Sequence, residues 1–346
     1  MILAGIEFTC ESVIIDIMSQ KVIIIISAIF VGLLLVGALL MIIENKIYHS
    51  VAMKADEKVF IVNKGERSRD IAQQLVEQNL IASNFSFQFY LWQKGYTNYL
   101  QVGEYSLSPS MTIAQIAKKL RKGQIIESTI TIPDGYNLGQ IAKALNLEKD
   151  ALVDYDMSTL KYDFLSNQDS LEGYLFPDTY NFQKNNLSVD TVVKTLLDNF
   201  DKKLSQPLRD EISLQGKTIQ EIITLASIVQ REAASVGEMP AIAGVFYNRL
   251  EIGMALQSDA TVNYATGKSL RQATESDIKI NSPHNTYKFK GLPPGPIASP
   301  GLDAIKAVVY SQKNNYFYFL HPNDGGPAVF SKTVEEHNKN RYIYLK

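Results

Sequence analysis

The chain contains one segment, Val22 to Ile43, in which no side chain carries a charge. As a helix with a rise of about 1.5 Å per residue, this segment spans about 33 Å, close to the hydrocarbon thickness of a bilayer. A cleavable signal peptide has a shorter apolar region, of about 7–15 residues, and ends in a small-residue cleavage site, which is not seen before Glu44. The sequence therefore predicts a single retained transmembrane helix over residues 22–43, after a cytoplasmic N-terminus of residues 1–21.

The composition of the 346-residue chain argues against several classes of protein. Lys and Arg number 34 against 36 Asp and Glu, so there is no basic field to attract nucleic acid. The single cysteine, Cys10, cannot form an intrachain disulfide, and none of the 4 histidines forms a His-x-x-x-His pair. Because a glycine-rich phosphate loop is also missing, we expect no cofactor, neither a metal nor a nucleotide.

Three segments beyond the apolar run share the pattern Ile-Ala-x-x-Leu, and each follows a strand-like or turn-like segment. The spacing places Ile and Leu on one face of a helix, with the small Ala beside them. The segments are residues 71–75, 116–120 and 141–145. Their unequal separation argues against a solenoid. The sequence thus predicts an α+β fold that uses short strand-turn-helix units to build its core.

The first of these units, residues 59–75, resembles a LysM module, a small α/β fold that binds polymers containing N-acetylglucosamine. The resemblance implies a LysM-like, glycan-binding module over residues 44–125, and a purely structural or protein-binding role is the alternative. An aromatic-rich stretch follows, in which we expect most side chains to lie in the core, with stacking on sugar rings as the alternative. Its aromatic residues are Phe85, Phe87, Phe89, Tyr90, Trp92, Tyr96 and Tyr99.

From about residue 146 the pattern changes to longer helices and ordered loops. Residues 171–180 are rich in aromatics and punctuated by Gly and Pro, which is typical of an ordered loop, and residues 189–201 form an amphipathic pattern. Thr218 and Glu221 form a capping box that predicts the start of another helix. In that helix Glu232 follows an apolar stripe at helical spacing, formed by Ile222, Leu225 and Val229.

The position of Glu232 has an electrostatic consequence. Desolvation by the apolar stripe and the negative end of the helix dipole both disfavour the ionised carboxylate, so we expect a raised pKa. A glutamic acid that is still protonated near neutral pH can protonate a glycosidic oxygen as the bond breaks. The alternative is a carboxylate that emerges into solvent at the helix end and pairs with Arg231.

Several later segments help to decide between a catalytic Glu232 and a solvent-exposed one. The chain continues with residues 240–250, residues 253–259, the triplet 285–287 and a Pro- and Gly-rich loop over residues 291–301 that is suited to shaping the wall of a cleft. Together with Leu-Ala-Ser-Ile-Val-x-x-Glu at residues 225–232, these segments resemble the endolytic murein transglycosylase (YceG-like) family, in the family's order and over nearly the whole chain beyond the apolar run.

The resemblance implies a lytic transglycosylase of peptidoglycan, held in the inner (cytoplasmic) membrane by one helix. Its mixed α+β catalytic domain, residues 126–346, would lie on the periplasmic or wall-facing side, close to peptidoglycan polymerases. The family's catalytic glutamate corresponds to Glu232. The preceding glutamate of the family pattern is replaced here by Gln230, which can form hydrogen bonds without contributing charge.

The implied reaction uses no water. Glu232 would protonate the oxygen between N-acetylmuramic acid and N-acetylglucosamine, and the muramic C6 hydroxyl would attack C1 to form a 1,6-anhydro end. Polar residues around the cleft would hold the sugar in place. The candidate substrate-binding residues are Gln257, Ser258, Asp259, Asn285, Thr286 and Tyr287. The alternative roles are local: the 285–287 triplet could satisfy loop backbone, and Asp259 could cap a helix that begins near Thr261.

Two other functions remain open. A hydrolase would need a second carboxylate, about 5–5.5 Å away for retention or about 6.5–9.5 Å away for inversion. Asp259 and Glu238 are the nominees, although Glu238 follows the helix in a loop where an exposed charge is expected. A membrane-anchored glycan-binding scaffold without activity is the third possibility.

Two histidines near the end of the chain are interpreted as structural. His321 begins a predicted hairpin turn, and His337 lies on a predicted final helix.

Overall fold

The computed structural model describes residues 4–183, 187–270 and 272–346, with side chains described from residue 21 onward. The described chain is a mixed α+β structure that divides into two compact units. The first comprises the residues up to Glu127 together with Gln183, and the second comprises Ser128–Phe182 and Leu187–Lys346.

Helix α1, Ala4–Tyr48, contains the predicted apolar run. Within it, Lys21–Tyr48 is long and apolar enough to cross a membrane, with a mean hydropathy of 3.1 over its most apolar window. The helix does not stop where the apolar run stops: Ile43 and Ile47 are buried in the core of the first unit. The C-terminal end of α1 is therefore part of the packed core of the first unit.

The first unit is built on two antiparallel strands and three further helices. In chain order these are β1 (Lys58–Val62), α2 (Ser68–Glu77), α3 (Asn84–Lys94), β2 (Gly103–Leu107) and α4 (Ile113–Lys122). The strands pair so that Phe60 faces Tyr105, and both of these side chains are fully buried. The 71–75 and 116–120 segments lie in α2 and α4, where their Ile, Ala and Leu side chains are buried, so the core prediction is confirmed there.

The prediction that most of the aromatic stretch lies in the core is only partly right. Phe87 and Tyr90 of α3 are buried, whereas Phe85, Trp92 and Tyr99 are exposed. Helical spacing accounts for the difference, because the exposed side chains of α3 lie on the face opposite the core.

The second unit contains the remaining helices and strands, apart from the end residues Glu127 and Gln183 of two strands, which belong to the first unit. They are β3 (Glu127–Thr131), α5 (Leu138–Ala144), β4 (Thr179–Gln183), α6 (Val189–Lys203), α7 (Gln206–Leu214), α8 (Ile219–Glu232), α9 (Met239–Glu251), α10 (Asp259–Thr266), α11 (Leu302–Val309), β5 (Tyr318–Leu320), β6 (Val329–Ser331) and α12 (Val334–Tyr344). Strands β3 and β4 form one small sheet, and β5 and β6 form the predicted hairpin. Helices α8, α9 and α11 pack against one another, and α10 packs against α8.

The Pro- and Gly-rich loop is fixed to α8 by polar side chains of that helix. Ser227 Oγ accepts a hydrogen bond from Ile297 N at 3.0 Å, and Gln220 Nε2 donates one to Pro294 O at 3.0 Å. Behind the loop, Gly173 adopts φ +87°, and a Cβ atom there would lie 2.6 Å from Pro296 Cγ. The ordered loop that contains Gly173 and the Pro-rich loop therefore meet where only a glycine fits.

Candidate active site

The predicted capping box and apolar stripe of α8 are both present. The Thr218 side chain accepts from Glu221 N at 3.1 Å, and the Glu221 carboxylate accepts from Thr218 N at 2.8 Å. Ile222, Leu225 and Val229 are buried in the core. These features fix the start and the rotation of α8 and so place Glu232, its last residue, beside the start of α10.

The carboxyl group of Glu232 receives two hydrogen bonds from the segment that begins α10. The Ser258 hydroxyl donates to Glu232 Oε1, and Ala260 N donates from the first turn of the helix. Ser258 is buried, and Glu232 itself is partly exposed. These hydrogen bonds hold the carboxyl from the α10 side, and Glu232 as a residue keeps part of its surface in solvent, as a proton donor to a bound molecule must.

Burial raises the pKa of Glu232, as the sequence predicts, and the negative charge of Asp259 raises it further. The hydrogen bonds from Ser258 and Ala260, together with the nearby His321, act in the opposite direction and do not cancel the effect of burial. The alternative, a pairing of Glu232 with Arg231, is not what the structure shows, because Arg231 Nη1 donates to Gly135 O at 3.4 Å. The result is a carboxyl that keeps its proton to higher pH than an exposed glutamic acid does.

Two backbone links tie the 257–258 segment to the 285–287 triplet. Gln257 N donates to Thr286 O at 3.0 Å, and Ser258 N donates to Thr286 Oγ1 at 3.0 Å. The backbone of Gln257 lies in the left-handed region with φ +48°, which is unfavourable for a residue with a Cβ, and its side chain is exposed. Thr286 is buried and orients the residue that contacts Glu232.

Asp259 does not cap α10 with its side chain, and α10 begins at Asp259 itself, earlier than predicted. Its Oδ1 instead accepts a hydrogen bond from the Tyr287 hydroxyl at 2.8 Å. Both side chains are partly exposed and lie close enough to Glu232 to act on it electrostatically. Of the six predicted binding residues, Asp259, Tyr287 and Gln257 are the ones whose side chains are at least partly exposed to solvent.

Asn285 serves the protein backbone. Its side chain is fully buried, and its Nδ2 donates to Ile278 O and Ile280 O, both at 2.9 Å. Its Oδ1 accepts from Tyr287 N at 3.0 Å. With its amide occupied at both ends, Asn285 holds the loop that carries Tyr287, which matches the local role that the sequence left as an alternative.

Glu238 is not the exposed charge that the sequence predicts, because its side chain is only 9% exposed. Its oxygens accept hydrogen bonds from the backbone N–H groups of Ala234, Ser235 and Ala328, and Oε1 lies 3.2 Å from His321 Nε2. Burial alone would raise the pKa of Glu238, but these hydrogen bonds outweigh it and lower the pKa. Glu238 joins the turn after α8 to the β5–β6 hairpin, and both of its oxygens accept hydrogen bonds in this structural role.

Arg249, on α9, contributes a buried positive charge that the sequence analysis does not single out. Its Nε donates to Phe317 O and its Nη1 to Leu256 O, both at 2.6 Å. Its guanidinium lies over the Tyr318 ring and interacts electrostatically with Glu232. The sequence does contain a signal for its burial, because Arg249 follows Ile242 and Phe246 at helical spacing on the buried face of α9.

Gln230, which departs from the family pattern, faces away from Glu232. Its Oε1 accepts from Gly301 N at 3.0 Å, just before α11 begins. Since residues two positions apart lie on different faces of a helix, Gln230 supports the Pro-rich loop and does not contact the carboxyl of Glu232.

A second buried carboxyl, Glu172, lies in the ordered loop and was also not singled out. Burial raises its pKa to about 7, although Leu138 N and the Tyr264 side chain donate hydrogen bonds to it. Its Oε1 has no hydrogen-bond partner among the residues that the structure describes. Glu172 links the start of α5 to α10, the helix whose first turn binds Glu232.

Two surface grooves of the second unit do not include Glu232. One, of about 890 Å³, is lined by polar groups that already pair, since Arg209 donates to Asp163 and Asp201 at 2.8 and 2.6 Å. The other, of about 420 Å³, lies along the N-terminal half of α8. Within the described side chains, no group of three His, Cys, Asp or Glu residues is placed to hold a metal ion.

We expect Ser258→Ala to move the alkaline limb of the activity profile to higher pH. The hydroxyl favours the ionised form of Glu232, so its removal raises the pKa of that carboxyl and keeps it protonated further into the alkaline range. The lost orientation should also lower the rate at the optimum by about tenfold. Measuring kcat/KM against pH checks both effects. Ser227→Ala, a buried serine of α8 that does not contact Glu232, should leave the limb in place, and an unmoved limb in Ser258→Ala would contradict the assignment.

The site combines one carboxyl with a raised pKa, two donors that hold it and a buried cation, which is the arrangement of an enzyme site for general acid catalysis. Residues 60–342 match the model of the YceG-like family. The chain belongs to the YceG-like family.

Its relatives include enzymes. An endolytic murein transglycosylase of Bacillus subtilis (strain 168) is 34% identical over 304 residues, which cover 82% of this chain and 84% of that protein. An endolytic murein transglycosylase of Streptococcus pneumoniae serotype 2 (strain D39) is 34% identical over 315 residues, and here the match spans 57% of the relative. The crystal structure of a YceG-like protein from Listeria monocytogenes matches with a TM-score of 0.57 at 34% identity, over 83% of this chain and 99% of that one.

Proposed function

We propose that this protein is a membrane-anchored endolytic lytic transglycosylase that cleaves the bond between N-acetylmuramic acid and N-acetylglucosamine in peptidoglycan strands. The observation that carries the proposal is the carboxyl of Glu232, which is held by Ser258 and Ala260 with a raised pKa at the end of α8. The similarity to two endolytic murein transglycosylases supports it.

In the first step Glu232 is the proton donor. Its proton passes to the oxygen that leaves with N-acetylglucosamine, and the bond from that oxygen to C1 of the muramic residue breaks. The carboxylate that remains is stabilised by the hydrogen bonds from Ser258 and Ala260 and by the buried charge of Arg249. The same groups therefore hold the acid before the transfer and the anion after it.

In the second step the muramic C6 hydroxyl attacks C1, and its proton returns to Glu232. The enzyme regains its starting protonation state, and the product carries a 1,6-anhydro ring without the addition of water. Asp259 and Tyr287, joined by a hydrogen bond of 2.8 Å, and the exposed Gln257 are the groups that we assign to holding the sugar.

The other parts of the proposal concern location. We assign residues 22–43 to the membrane and residues 44–125 to a LysM-like module, whose strand-turn-helix start corresponds to β1, the turn at Lys64–Glu66 and α2. We assign residues 126–346 to a catalytic domain on the wall-facing side. An anchored enzyme of this kind would act on strands close to the membrane, beside the polymerases that make them, and would terminate or trim them.

Product analysis tests the proposal. The protein is incubated with uncross-linked glycan strands, and the fragments are identified by mass spectrometry. We expect fragments that are lighter than hydrolysis products by the mass of one water and that end in anhydromuramic acid. Fully hydrated fragments would identify a hydrolase and direct attention to Asp259, whereas strands left intact by the full-length protein in vesicles would favour the scaffold.

A further inference from the structure

The outward face of α3 carries aromatic side chains instead of the usual charged ones. Phe85, Phe89 and Trp92 follow one another at helical spacing, opposite the buried face that includes Phe87 and Leu91. Phe85 is 63% exposed and Trp92 is 72% exposed, and Phe89 is partly buried between them. A surface helix of a globular protein normally presents polar or charged residues on this face.

The three rings form a continuous surface, which we term the aromatic stripe. The Phe85 and Phe89 rings are stacked with centroids 6.3 Å apart, and the Phe89 and Trp92 centroids are 5.8 Å apart. From Asn84 to Gln93 the helix has no charged residue, and Lys94 in its last turn is the first. Exposed apolar patches of this kind mark contact sites.

The place of α3 within the first unit indicates what the stripe contacts. Helix α3 packs against α1, and Tyr48 at the end of α1 lies close enough to Tyr90 of α3 to contribute to its raised pKa, for which burial is the main cause. Ile43, the last residue of the apolar run, is buried in the same core. From Ile43 to Tyr48 the helix rises by about 7 Å, comparable with the thickness of one headgroup layer.

The polar groups beside the stripe argue against a sugar as its occupant. Sugar sites add free hydrogen-bonding groups to an aromatic platform. Here the Asn84 amide is engaged at both ends, because Gln88 Nε2 donates to Asn84 Oδ1, and Asn84 Nδ2 donates to Gln73 Oε1 at 3.1 Å. Tryptophan and other aromatic rings are favoured at the interface between lipid and water, and the basic side chain of Lys94 at the end of α3 suits anionic headgroups.

We propose that the aromatic stripe of Phe85, Phe89 and Trp92 is a second membrane contact, and that its rings enter the headgroup layer of the bilayer that α1 crosses. The inference rests on the anchoring part of the proposed function. It assigns to the first unit a fixed contact with the lipid surface in addition to any contact with glycan.

Trp92 reports on this contact by itself, because it is the only tryptophan of the chain. The full-length protein is reconstituted into vesicles of phosphatidylcholine and phosphatidylglycerol that contain a nitroxide label either near the headgroup or deep in the acyl chain. We expect the shallow label to quench Trp92 fluorescence at least about twofold more than the deep label, since aromatic rings settle at the interface. Replacing Phe85 and Phe89 by Ser should reduce this quenching, whereas Tyr342→Ser, at an exposed tyrosine on α12, should not.

Each other outcome overturns the inference. If the protein floats with the vesicles but neither label quenches Trp92, the stripe does not touch lipid. A blue shift of Trp92 emission that requires added glycan strands would assign the stripe to sugar stacking. If the protein does not float with the vesicles, both the transmembrane anchor and the lipid contact of the aromatic stripe are ruled out. Flotation separates this outcome from the first one, in which the protein floats but Trp92 is not quenched. Because quenching does not depend on turnover, a failure of the proposed catalysis would leave this result unchanged.

Discussion

Glu232→Gln is expected to abolish strand cleavage, with a loss of about 10³-fold in rate, because general acid catalysis contributes about that much and, among the side chains that the structure describes, no other carboxyl is placed to replace it. Asp259 accepts a hydrogen bond from the Tyr287 hydroxyl, and Glu238 accepts hydrogen bonds at both oxygens. The amide retains the size of the carboxyl and can still accept from Ser258, so folding should be preserved. The rate at which fragments form from glycan strands, quantified by mass spectrometry, measures the loss of activity.

The same variant should change stability in a direction that a structural carboxylate would not. The folded pKa of Glu232 is raised above its unfolded value, so the stability contributed by the protonated group is lost as pH rises through the folded pKa. Glu232→Gln lacks that loss and should unfold at a higher temperature than the native protein at alkaline pH, with a smaller difference at acid pH. Glu251→Gln, an exposed carboxyl at the end of α9, should change neither activity nor this pH dependence. Retention of more than a tenth of the native rate in Glu232→Gln would move the acid to another residue.

Gly173→Ala is expected to lower the free energy of unfolding by about 3 kcal/mol, through overpacking combined with an unfavourable backbone conformation. The added Cβ would meet Pro296 and would lie 3.3 Å from Ile223 Cγ2 on α8, so the Pro-rich loop or the catalytic helix would have to move. Gly216→Ala is a matched control, since Gly216 has φ +65° with no heavy atom within 4 Å of the added Cβ, and it should cost only about 1 kcal/mol. Denaturant unfolding of the two variants separates the effects, and equal losses would show that the contact between the two loops is not tight.

The sequence carries the local part of the site. Thr218 and Glu221 predict where α8 begins, and the stripe ending at Val229 predicts the face on which Glu232 lies, because both signals act within one helix. The contacts that decide the chemistry join distant segments. Ser258 reaches Glu232 across 26 residues, and Ala328 reaches Glu238 across 90. No periodicity encodes such contacts.

The wrong predictions have related causes. An acidic residue in a turn is usually exposed, but Glu238 lies where the β5–β6 hairpin closes over the turn after α8, which only the tertiary packing of the hairpin determines. Aromatic side chains are usually buried, and Phe85 and Trp92 of α3 are exposed because the helix has more aromatic residues than its buried face can accommodate. In both cases the local sequence predicts the usual environment of the residue type, whereas the actual environment depends on packing between elements that the segment itself does not encode.

The unbroken helix from the apolar run into the core of the first unit acts as a mechanical coupling. Ile43 and Ile47 lie one turn apart on the same face of α1, and both are buried in the core of the first unit, so this core is fixed to the end of the apolar helix. In the anchored protein that we propose, the number of residues in α1 would set both the distance of the first unit from the bilayer and its rotation about the helix axis. One residue inserted just before Ile43 would rotate the unit by about 100°, whereas seven would nearly restore its orientation about 10 Å further from the bilayer. In such an anchored protein, α1 thus fixes how far the first unit lies from the bilayer, and a tilt of the helix in the bilayer tilts the first unit by the same angle.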